Sequence, residues 1–470
     1  MKAPADKSSK SERDRQERQA QALRDNLLRR KTQMRGRKDG PTPSPPKKET
    51  QNMDKLEIEG GGKLNGVIQI SGAKNAALPL MCAALLTDET LILEGWPDLA
   101  DTRSMRELLH SLNVEGTAKD ESLHLKAGSS IGLEASYDIV RKMRASILVL
   151  GPLLTRMGQA KVSLPGGCAI GSRPVDLHIM VMEKLGAKVT LEDGYVLAEA
   201  KQGLTGNRIT FPMISVGATE NALMAACMAK GETVLINAAR EPEISDLAEC
   251  LNAMGANITG HGTSTITIEG VNRLNGATHR VVPDRIEAGT FAIAAAITQG
   301  EVRLENTRAD HLDALISSLT QAGARVDAGD QHITIAMADR PQPVDISTDP
   351  YPGFPTDLQA QFMAFMCMAR GASRISETIF ENRFMHVPEL MRMGAKINVS
   401  GGTALIRGVD MLVGAPVMAT DLRASVSLVL AGLVADGKTT LQRVYHLDRG
   451  YYQLEHKLNA CGAQISRVKE

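Results

Sequence analysis

Polar and apolar positions follow the same order six times along this chain. Each time, a stretch that is apolar on nearly every side comes first, as in residues 76–86 and 424–434. Such a stretch predicts a helix enclosed by other structure. A half-polar stretch such as 101–112 then predicts a helix between core and surface, and alternating segments such as 265–268 predict short strands. The pattern therefore indicates an α/β protein of six units, with helices inside and sheets outside.

A triplet of small residues closes the half-polar helix of every unit. Its middle residues are Asn113, Gly186, Gly255, Gly323, Gly394 and Gly462. Neighbouring triplets lie between 68 and 73 residues apart. A period kept six times indicates one supersecondary unit used six times. We expect these units to form two domains of three.

The entrances to the buried helices carry polar and charged residues. A helix N-terminus has free N–H donors and a partial positive charge, so it attracts phosphate and carboxylate. Ordinary capping accounts for Ser215 and Asp357 taken singly. It does not account for Lys74, Arg144 and Arg423, because a cation opposes the helix dipole at that end. These entrances predict a cleft that binds a polyanionic substrate between the two sets of helices.

One unit contains a glycine loop with a cysteine. Residues 163–174 read SLPGGCAIGSRP, which brings Cys168 and Arg173 into one loop and suggests chemistry on an anionic substrate. The other five cysteines are scattered through apolar segments predicted to be helical, and the chain has no CxxC pair. This usage indicates a reducing compartment and argues against a structural zinc site.

Composition excludes several classes of protein. The 470 residues are 43% hydrophobic and 23% charged, which is typical of a globular protein of two or three domains. Aromatic residues make up 3%, so stacking on nucleic-acid bases is not expected of the bulk of the chain. No apolar run has the length of a membrane span, and the N-terminus lacks the apolar core of a signal peptide. We expect a cytoplasmic location and no membrane partner.

The first 52 residues differ in charge from the rest. They hold 15 basic and 7 acidic residues, a formal charge of +8, and the remaining 418 residues carry −8 because the whole chain is neutral. The segment ends in a Pro/Gly/Ser linker, GPTPSPP at 40–46. We interpret residues 1–52 as a disordered or solvated helical extension. A solubilising tail, or a translation start at Met53, fits better than a nucleic-acid arm, and any contact with anions or nucleic acid should be weak.

With these segments in view, residues 53–470 resemble the UDP-N-acetylglucosamine enolpyruvyl transferases (1-carboxyvinyltransferases) of the EPSP synthase-like superfamily. The motifs that carry the resemblance are SGAKNAALP (71–79), KMRASI (142–147), SLPGGCAIGSRPVDLH (163–178), AAREPEI (238–244), PDRIE (283–287), FPTDLQAQF (354–362), FENRFMHVPEL (380–390), ATDLRAS (419–425) and HLDRGY (446–451). The resemblance implies two inside-out α/β barrel domains of three units each. Residues 53–73 and 283–470 would form the catalytic domain, and residues 74–282 an inserted domain with the cysteine loop. The N-terminal strand should then return to the C-terminal half.

The resemblance also implies a reaction. Phosphoenolpyruvate and UDP-N-acetylglucosamine would give the 3-enolpyruvyl ether and phosphate through a tetrahedral ketal, at the entry to peptidoglycan synthesis. No metal and no organic cofactor would be needed. Cys168 matches the general acid and Asp357 the base for the sugar hydroxyl. The groups implied around phosphoenolpyruvate are Lys74, Arg173, Arg383, Asp421, Arg423 and Arg449. Those implied around the nucleotide sugar are Asn75, Arg144, Arg173, Pro174, Val175, Asp176, Leu177, Ser215, Val216, Gly217, Asp357 and Ile379.

Two residues depart from the family pattern, and two other functions stay open. Ala100 and Met213 stand where some members carry lysine, which affects lid closure and nucleotide contact. The sister activity, transfer to shikimate 3-phosphate, does not use a PGGCAIG loop. A non-catalytic nucleotide-sugar sensor would not need an acid such as Cys168 together with a base such as Asp357.

Overall fold

Six four-stranded sheets, one for each predicted unit, are present in a computed structural model that describes residues 54–128, 130–141, 143–164 and 175–469. The strands are β1 (Lys55–Glu59), β2 (Asn65–Gln69), β3 (Thr90–Glu94), β4 (Val114–Lys119), β5 (Ser122–Ala127), β6 (Glu134–Ala135), β7 (Gln159–Ser163), β8 (Lys188–Glu192), β9 (Tyr195–Glu199), β10 (Arg208–Thr210), β11 (Glu232–Ile236), β12 (Asn257–Thr259), β13 (Thr265–Glu269), β14 (Ala277–Arg280), β15 (Glu301–Glu305), β16 (Arg325–Ala328), β17 (His332–Ala336), β18 (Ile346–Ser347), β19 (Ala372–Ser376), β20 (Lys396–Ser400), β21 (Thr403–Arg407), β22 (Leu412–Val413), β23 (Pro416–Met418), β24 (Ala435–Asp436), β25 (Lys438–Gln442) and β26 (Gln464–Val468). Strands β22 and β24 pair as a separate two-stranded sheet.

The six sheets share one plan. In the sheet β6-β7-β9-β8, the first pair is parallel and the next two pairs are antiparallel. The sheets β10-β11-β13-β12, β2-β15-β17-β16 and β18-β19-β21-β20 repeat that order. The predicted repeat is therefore present in the strand topology as well as in the sequence.

Three sheets are completed by strands from distant parts of the chain, since β2 pairs in parallel with β15 and the other two cases are β14 and β1. Strand β14 fills the parallel edge of the sheet β14-β3-β5-β4. Strand β1 lies between β25 and β26, with Leu56 opposite Leu441 and Ile58 opposite Ile465. The first strand thus returns to the C-terminal end of the chain, as the resemblance implies.

Thirteen α-helices connect the strands in the described part of the chain. They are α1 (Lys74–Ala83), α2 (Ala100–Ser111), α3 (Tyr137–Val140), α4 (Leu150–Met157), α5 (Asp176–Lys184), α6 (Val216–Ala226), α7 (Pro242–Ala253), α8 (Arg285–Ile297), α9 (Asp313–Gln321), α10 (Gln359–Met366), α11 (Val387–Arg392), α12 (Leu422–Val434) and α13 (Leu454–Ala460). Short 3₁₀ segments, Arg144–Val149 and Thr356–Leu358, lead into α4 and α10. Helices α8 and α12 are buried along nearly their whole length, which explains their lack of a polar face.

The small-residue triplets end the half-polar helices. Their six middle residues all have a positive φ, from 63° at Asn113 to 105° at Gly323. Glycine adopts this left-handed conformation without a Cβ clash, and asparagine tolerates it. The N–H of Ala187 then donates to Met182, and that of Ala256 to Leu251, the pairing of a Schellman motif. The triplets are therefore helix stops that turn the chain into the next strand.

The buried side chains form two separate hydrophobic cores. The first core is built from residues between Ala73 and Val281. The second core combines residues from Leu56 to Ile70 with residues from Ile286 to Ile465. The chain passes twice between the cores, and these two connections are bonded to each other, since the N–H of Ala73 donates to Val282 and that of Asp284 to Ser71.

The five cysteines among the described residues are buried free thiols: Cys82, Cys227, Cys250, Cys367 and Cys461. Burial raises the pKa of Cys227 to about 12, so this thiol stays protonated and packs as a small apolar group. None of the helices in the described ranges combines the length and apolar character that crossing a membrane requires.

Candidate active site

Lys74 is the first residue of the buried helix α1, and its side chain is only 10% exposed. Its backbone N–H donates to Asp284 Oδ2 at 3.3 Å, which ties the start of α1 to the cap of α8. Its Nζ donates to Asp101 Oδ2 at 3.2 Å. A cation at this end of a helix is unfavourable alone, and the carboxylate of Asp101 offsets that cost.

Asp101 joins Lys74 to a cation from the other core. It lies in the first turn of α2, and its other oxygen accepts from Nε of Arg449 at 2.8 Å. Arg449 ends the 3₁₀ segment Val444–Arg449, and 39% of its side chain is exposed. Burial raises the pKa of Asp101, but the charges of Lys74 and Arg449 outweigh it and hold the pKa below its usual value. Asp101 is therefore an anion shared by two cations across the two cores.

Asp357 holds a second pair of cations. Its Oδ1 accepts from Nη2 of Arg383 at 2.7 Å, and its Oδ2 accepts from Nη2 and Nε of Arg423 at 2.9 and 3.1 Å. The Arg383 and Arg423 side chains are 5% and 6% exposed, whereas that of Asp357 is 26% exposed. Buried guanidinium groups need such partners, and the partly exposed carboxylate is the side of the cluster that a ligand can reach.

The surrounding cations control the ionisation of Asp357. Burial would raise the pKa of this carboxyl group, but Arg423, Arg383 and Lys74 together hold it well below its usual range. Asp357 is consequently ionised at neutral pH and accepts hydrogen bonds without donating any.

Helix α12 presents Arg423 from a fixed base. The side chain of Asp421 caps this helix by accepting from the N–H groups of Arg423 and Ala424 at 2.8 and 3.0 Å. The Tyr451 ring lies 5.8 Å from the guanidinium of Arg423, and its hydroxyl is 3.4 Å from Nη1. Asp421 thus acts on the backbone of the site, two residues before the cation that meets Asp357.

Several residues expected around a nucleotide sugar stand at the starts of helical segments of the first core. Ser215 caps α6 by accepting from the N–H of Ala218 at 3.3 Å, and Val216 and Gly217 form its first turn. Arg144 begins the 3₁₀ segment before α4. A Cβ on Gly217 would lie 3.3 Å from Cε1 of His178, a buried residue of α5. This close packing explains the glycine.

Some of the other residues predicted from the sequence lie within the described ranges, and the rest lie outside them. Val175 is buried at the start of α5, while Asp176 is exposed and Leu177 is half-buried. Asn75 and Ile379 are also half-buried, in α1 and in the loop after β19. Cys168, Arg173 and Pro174 lie outside the described residues, as does the extension 1–52. Of the two departures from the family pattern, Ala100 is the first residue of α2 and Met213 is 64% exposed.

The sequence motifs did not predict a second contact between the two cores. Arg285 Nε donates to Glu243 Oε1 at 3.0 Å, and the guanidinium lies 5.6 Å from the centre of the Tyr351 ring. Burial lowers the pKa of Arg285, but Glu243, Glu241 and the nearby Asp357 raise it, and the net pKa lies above its usual value. Asp101 gave no local signal, since an acid in a first helical turn is common. Arg285 is the first residue of the buried helix α8, and a cation at that position is the signal that could have identified it.

The assembled groups suit an anionic substrate. Four cations, Lys74, Arg383, Arg423 and Arg449, pair with two carboxylates, of which the partly exposed Asp357 can accept a proton or orient a hydroxyl. Fixed positive charges of this kind stabilise negative charge that develops during a reaction. Within the described ranges, no three His, Cys, Asp or Glu side chains are grouped so as to hold a metal ion.

Comparison with known proteins identifies the family of this chain. The family EPSP synthase (3-phosphoshikimate 1-carboxyvinyltransferase) matches residues 58–458. The UDP-N-acetylglucosamine 1-carboxyvinyltransferase of Gluconacetobacter diazotrophicus is 60% identical over 420 residues, which cover 89% of this chain and all of that protein. The protein of the same name from Caulobacter vibrioides is 60% identical over 422 residues, 89% of this chain and 98% of that one.

Solved structures show the same fold. The enolpyruvyl transferase NikO from Streptomyces tendae matches 89% of this chain and its own full length with a TM-score of 0.81 at 26% identity. EPSP synthase from Acinetobacter baumannii matches 88% of this chain and its own full length with a TM-score of 0.69, and at 19% identity it supports the fold alone. The chain therefore belongs to the EPSP synthase family and, within it, to the UDP-N-acetylglucosamine 1-carboxyvinyltransferases.

Proposed function

We propose that this protein transfers the enolpyruvyl group of phosphoenolpyruvate to the 3-hydroxyl of UDP-N-acetylglucosamine and releases phosphate. The observation that carries the proposal is the cluster of four cations around Asp101 and Asp357 in a chain 60% identical to transferases of that name. Phosphoenolpyruvate has a carboxylate and a phosphate, and the cluster offers one pair of cations for each.

The finer architecture is part of the proposal. The two cores, each with three of the six sheets, correspond to two inside-out α/β barrel domains. Residues 53–73 and 283–470 form the catalytic domain, and residues 74–282 form the inserted one. The substrate cleft lies where Asp101 of the first core meets Arg449 of the second.

Lys74, Arg173 and Arg449 bind the phosphate in this scheme, and Arg383 and Arg423 bind the carboxylate. Asp421 supports Arg423 through the cap of α12. The sugar 3-hydroxyl adds to C2 of phosphoenolpyruvate while a proton is added at C3, which gives a tetrahedral ketal. The ketal then loses phosphate from C2 and a proton from C3, so that the enol ether forms.

Asp357 receives the hydroxyl proton and Cys168 supplies the proton for C3. Paired with two arginines, Asp357 is a weak base because its pKa is far below neutrality. An incoming carboxylate that takes over Arg383 and Arg423 would raise that pKa, so the substrate itself would activate the base. An ordinary thiol has a pKa of about 8.5 and is mostly protonated near neutrality, which is the form in which Cys168 would donate its proton.

The nucleotide sugar is placed along the helix entrances of the first core. Asn75, Arg144 and Asp357 contact the sugar, while α6 offers free N–H groups to the diphosphate or uridine through Ser215, Val216 and Gly217. The segment from Arg173 to Leu177 and Ile379 complete this surface. The reaction needs no metal and no organic cofactor, since protein groups supply every proton and charge.

One alternative has an observation in its favour. The matching family is described by the sister activity on shikimate 3-phosphate. The solved EPSP synthase is 19% identical to this chain, whereas relatives named for the UDP-sugar activity reach 60%. The UDP-sugar is therefore the better-supported acceptor.

The proposed cellular role follows from the reaction. The enolpyruvyl ether is the committed precursor of peptidoglycan, so the protein would act in the cytoplasm and support cell-wall growth, cell shape and division. Residues 1–52 would add at most a weak, charge-driven contact with anions or nucleic acid.

The test is the release of phosphate from phosphoenolpyruvate with each acceptor in turn. Release with UDP-N-acetylglucosamine and none with shikimate 3-phosphate supports the proposal, and the reverse result refutes it.

A second arm uses fosfomycin, an epoxide that mimics phosphoenolpyruvate and should alkylate Cys168. Peptide mapping that finds the adduct on the buried Cys82 or Cys461 instead would remove Cys168 from its role. Cys168→Asp keeps an acid without the nucleophile, so it should retain activity and lose sensitivity to fosfomycin.

A further inference from the structure

Asp101 is the buried group that holds both phosphate-binding cations, yet it has no part in the scheme above. Its side chain is 7% exposed, and its two oxygens are divided between Lys74 at 3.2 Å and Arg449 at 2.8 Å. A carboxylate taken out of water must keep its charged partners, because an unpaired buried charge is costly. Asp101 and the two cations therefore hold one another in place.

The bonds to Asp101 leave most of each cation available. Arg449 uses Nε, the atom at the base of its guanidinium, and within the described ranges no partner of its two Nη groups is found. Lys74 gives one of its three ammonium protons to Asp101, and among the described residues no second side-chain partner of Nζ is found. The two bonds to Asp101 thus still leave donors on both cations that can bind a phosphate.

The two cations come from different cores. Lys74 is on α1 of the first core, whereas Arg449 follows α12 in the second. Asp101, in the first turn of α2, is the group through which they meet. Two charges that must act on one phosphate need a fixed separation, and loss of that separation lowers the effective concentration of each.

We propose that Asp101 is a positioning residue, which sets Lys74 and Arg449 at the spacing of one phosphate group and so determines how tightly the phosphate end of the substrate is bound. This inference rests on the proposed function. It assigns Asp101 no contact with the substrate. Its effect should therefore be confined to phosphate and phosphoenolpyruvate, with UDP-N-acetylglucosamine bound as before.

The experiment compares Asp101→Asn with wild type. Asparagine has the same size but can accept from only one cation while its amide faces the other. A hydrogen bond to a charged group is worth enough that its loss should raise KM for phosphoenolpyruvate, and Ki for inorganic phosphate, on the order of 10- to 100-fold. KM for the UDP-sugar should stay within about twofold. Asp98→Asn is the matched control, since that exposed acid precedes the same helix and pairs with Arg103.

A double-mutant cycle with Arg449→Ala tests whether Asp101 acts through its partner. The combined loss should be smaller than the product of the two single losses. Fully multiplicative losses, or phosphate and phosphoenolpyruvate constants within twofold of wild type in Asp101→Asn, would overturn the inference. So would an equal loss for both substrates with a lowered Tm, which indicates a structural role.

If Asp101→Asn does not fold, Asp101→Glu takes the same test, because it keeps the charge and displaces it by one methylene. Wild-type turnover separates the two failures: an inactive wild type refutes the proposed function, while an active wild type with an unaffected variant refutes only the role of Asp101.

Discussion

Single residues determine where the positive charge of this site points. Lys74 and Arg423 both occupy helix entrances, where a cation is unfavourable, and each is held there by a buried or half-buried carboxylate. The pairing makes the cations rigid before substrate arrives. A preorganised charge contributes more to catalysis than one that must be moved into place.

Removal of a phosphate-binding cation should lower turnover. We expect Lys74→Ala and Arg449→Ala to lose about 100-fold or more in kcat/KM, because each deletes one fixed charge that faces the phosphate. Steady-state phosphate release measures the loss. Lys438→Ala, at an exposed lysine paired with Glu57, serves as the control and should keep wild-type turnover. Normal turnover in either variant would place that residue outside the site.

Glu220 should make stability depend on pH. This buried carboxyl group of α6 has its pKa raised from 4.5 to about 8 by burial and by the nearby Glu243 and Glu241. The folded state binds this proton more tightly than the unfolded state, so the contribution is full below pH 4.5 and is lost as pH rises through about 8. Glu220→Gln should therefore flatten the decline of Tm over that range and raise Tm at pH 8.5 by a few degrees, about 2–4 °C per kcal/mol.

Thermal melting across that range measures the effect. The exposed Glu232→Gln is the control and should leave the wild-type profile unchanged. A Glu220→Gln profile that declines as steeply as wild type would show that another group is responsible.

At the scale of elements, buried helices from successive units are joined by side-chain bonds as well as by packing. Asn221 of α6 is fully buried, accepts from the N–H of Gly151 in α4 at 2.8 Å and donates to the carbonyl of Ile147 at 3.0 Å. Its amide also lies 3.0 Å from Nδ1 of His178 in α5. One asparagine thus connects the helices whose entrances form the proposed nucleotide surface.

Loss of this connection should cost stability. Asn221→Ala removes the acceptor of the buried Gly151 N–H and one of the two donors to the Ile147 carbonyl, so we expect the free energy of unfolding to fall by about 1–3 kcal/mol. Urea denaturation followed by circular dichroism measures the change. Asn257→Ala, which removes an exposed bond to Glu269 on a surface strand, should change it by about 0.5 kcal/mol or less. Similar values for the two variants would mean that Asn221 is not a structural link.

Elements were easier to predict from the sequence than the contacts between them. The triplets identified all six units because a left-handed helix stop needs glycine or asparagine, a local requirement written at one position. The helix entrances identified Lys74 and Arg423 because a cation there has a local cost. The capping role offered for Asp357 was wrong, since its side chain caps no helix and accepts from Arg383 and Arg423 instead. Asp101 gave no such signal, since its two partners lie 27 and 348 residues away. The return of strand β1 to the C-terminal half was likewise invisible in the periodicity and came from the resemblance, whereas the pairing of β14 with the distant β3 was not predicted.

At the scale of the whole molecule, the described fold begins at its N-terminal side with Asp54. This residue is 7% exposed, lies 3.6 Å from Arg467 and leads into β1 between β25 and β26. The basic segment 1–52 has neither aromatic residues nor an extended apolar face. A chain that starts at Met53 should consequently have the Tm and turnover of the full chain at moderate salt. Differential scanning calorimetry and phosphate release make the comparison, and a marked loss in either would show that the extension supports the core.

The central claim is that the four cations and two proton-transferring groups perform addition followed by elimination on phosphoenolpyruvate. Nuclear magnetic resonance of the product formed in D₂O tests it most directly. A solvent deuteron delivered by the exchangeable thiol of Cys168 enters C3 of the ketal, whose methyl group rotates before any one of its three hydrogens is lost. The account predicts a 3-O-enolpyruvyl ether of UDP-N-acetylglucosamine with deuterium in its vinyl group. An ether without deuterium, or phosphate released without an ether, would contradict it.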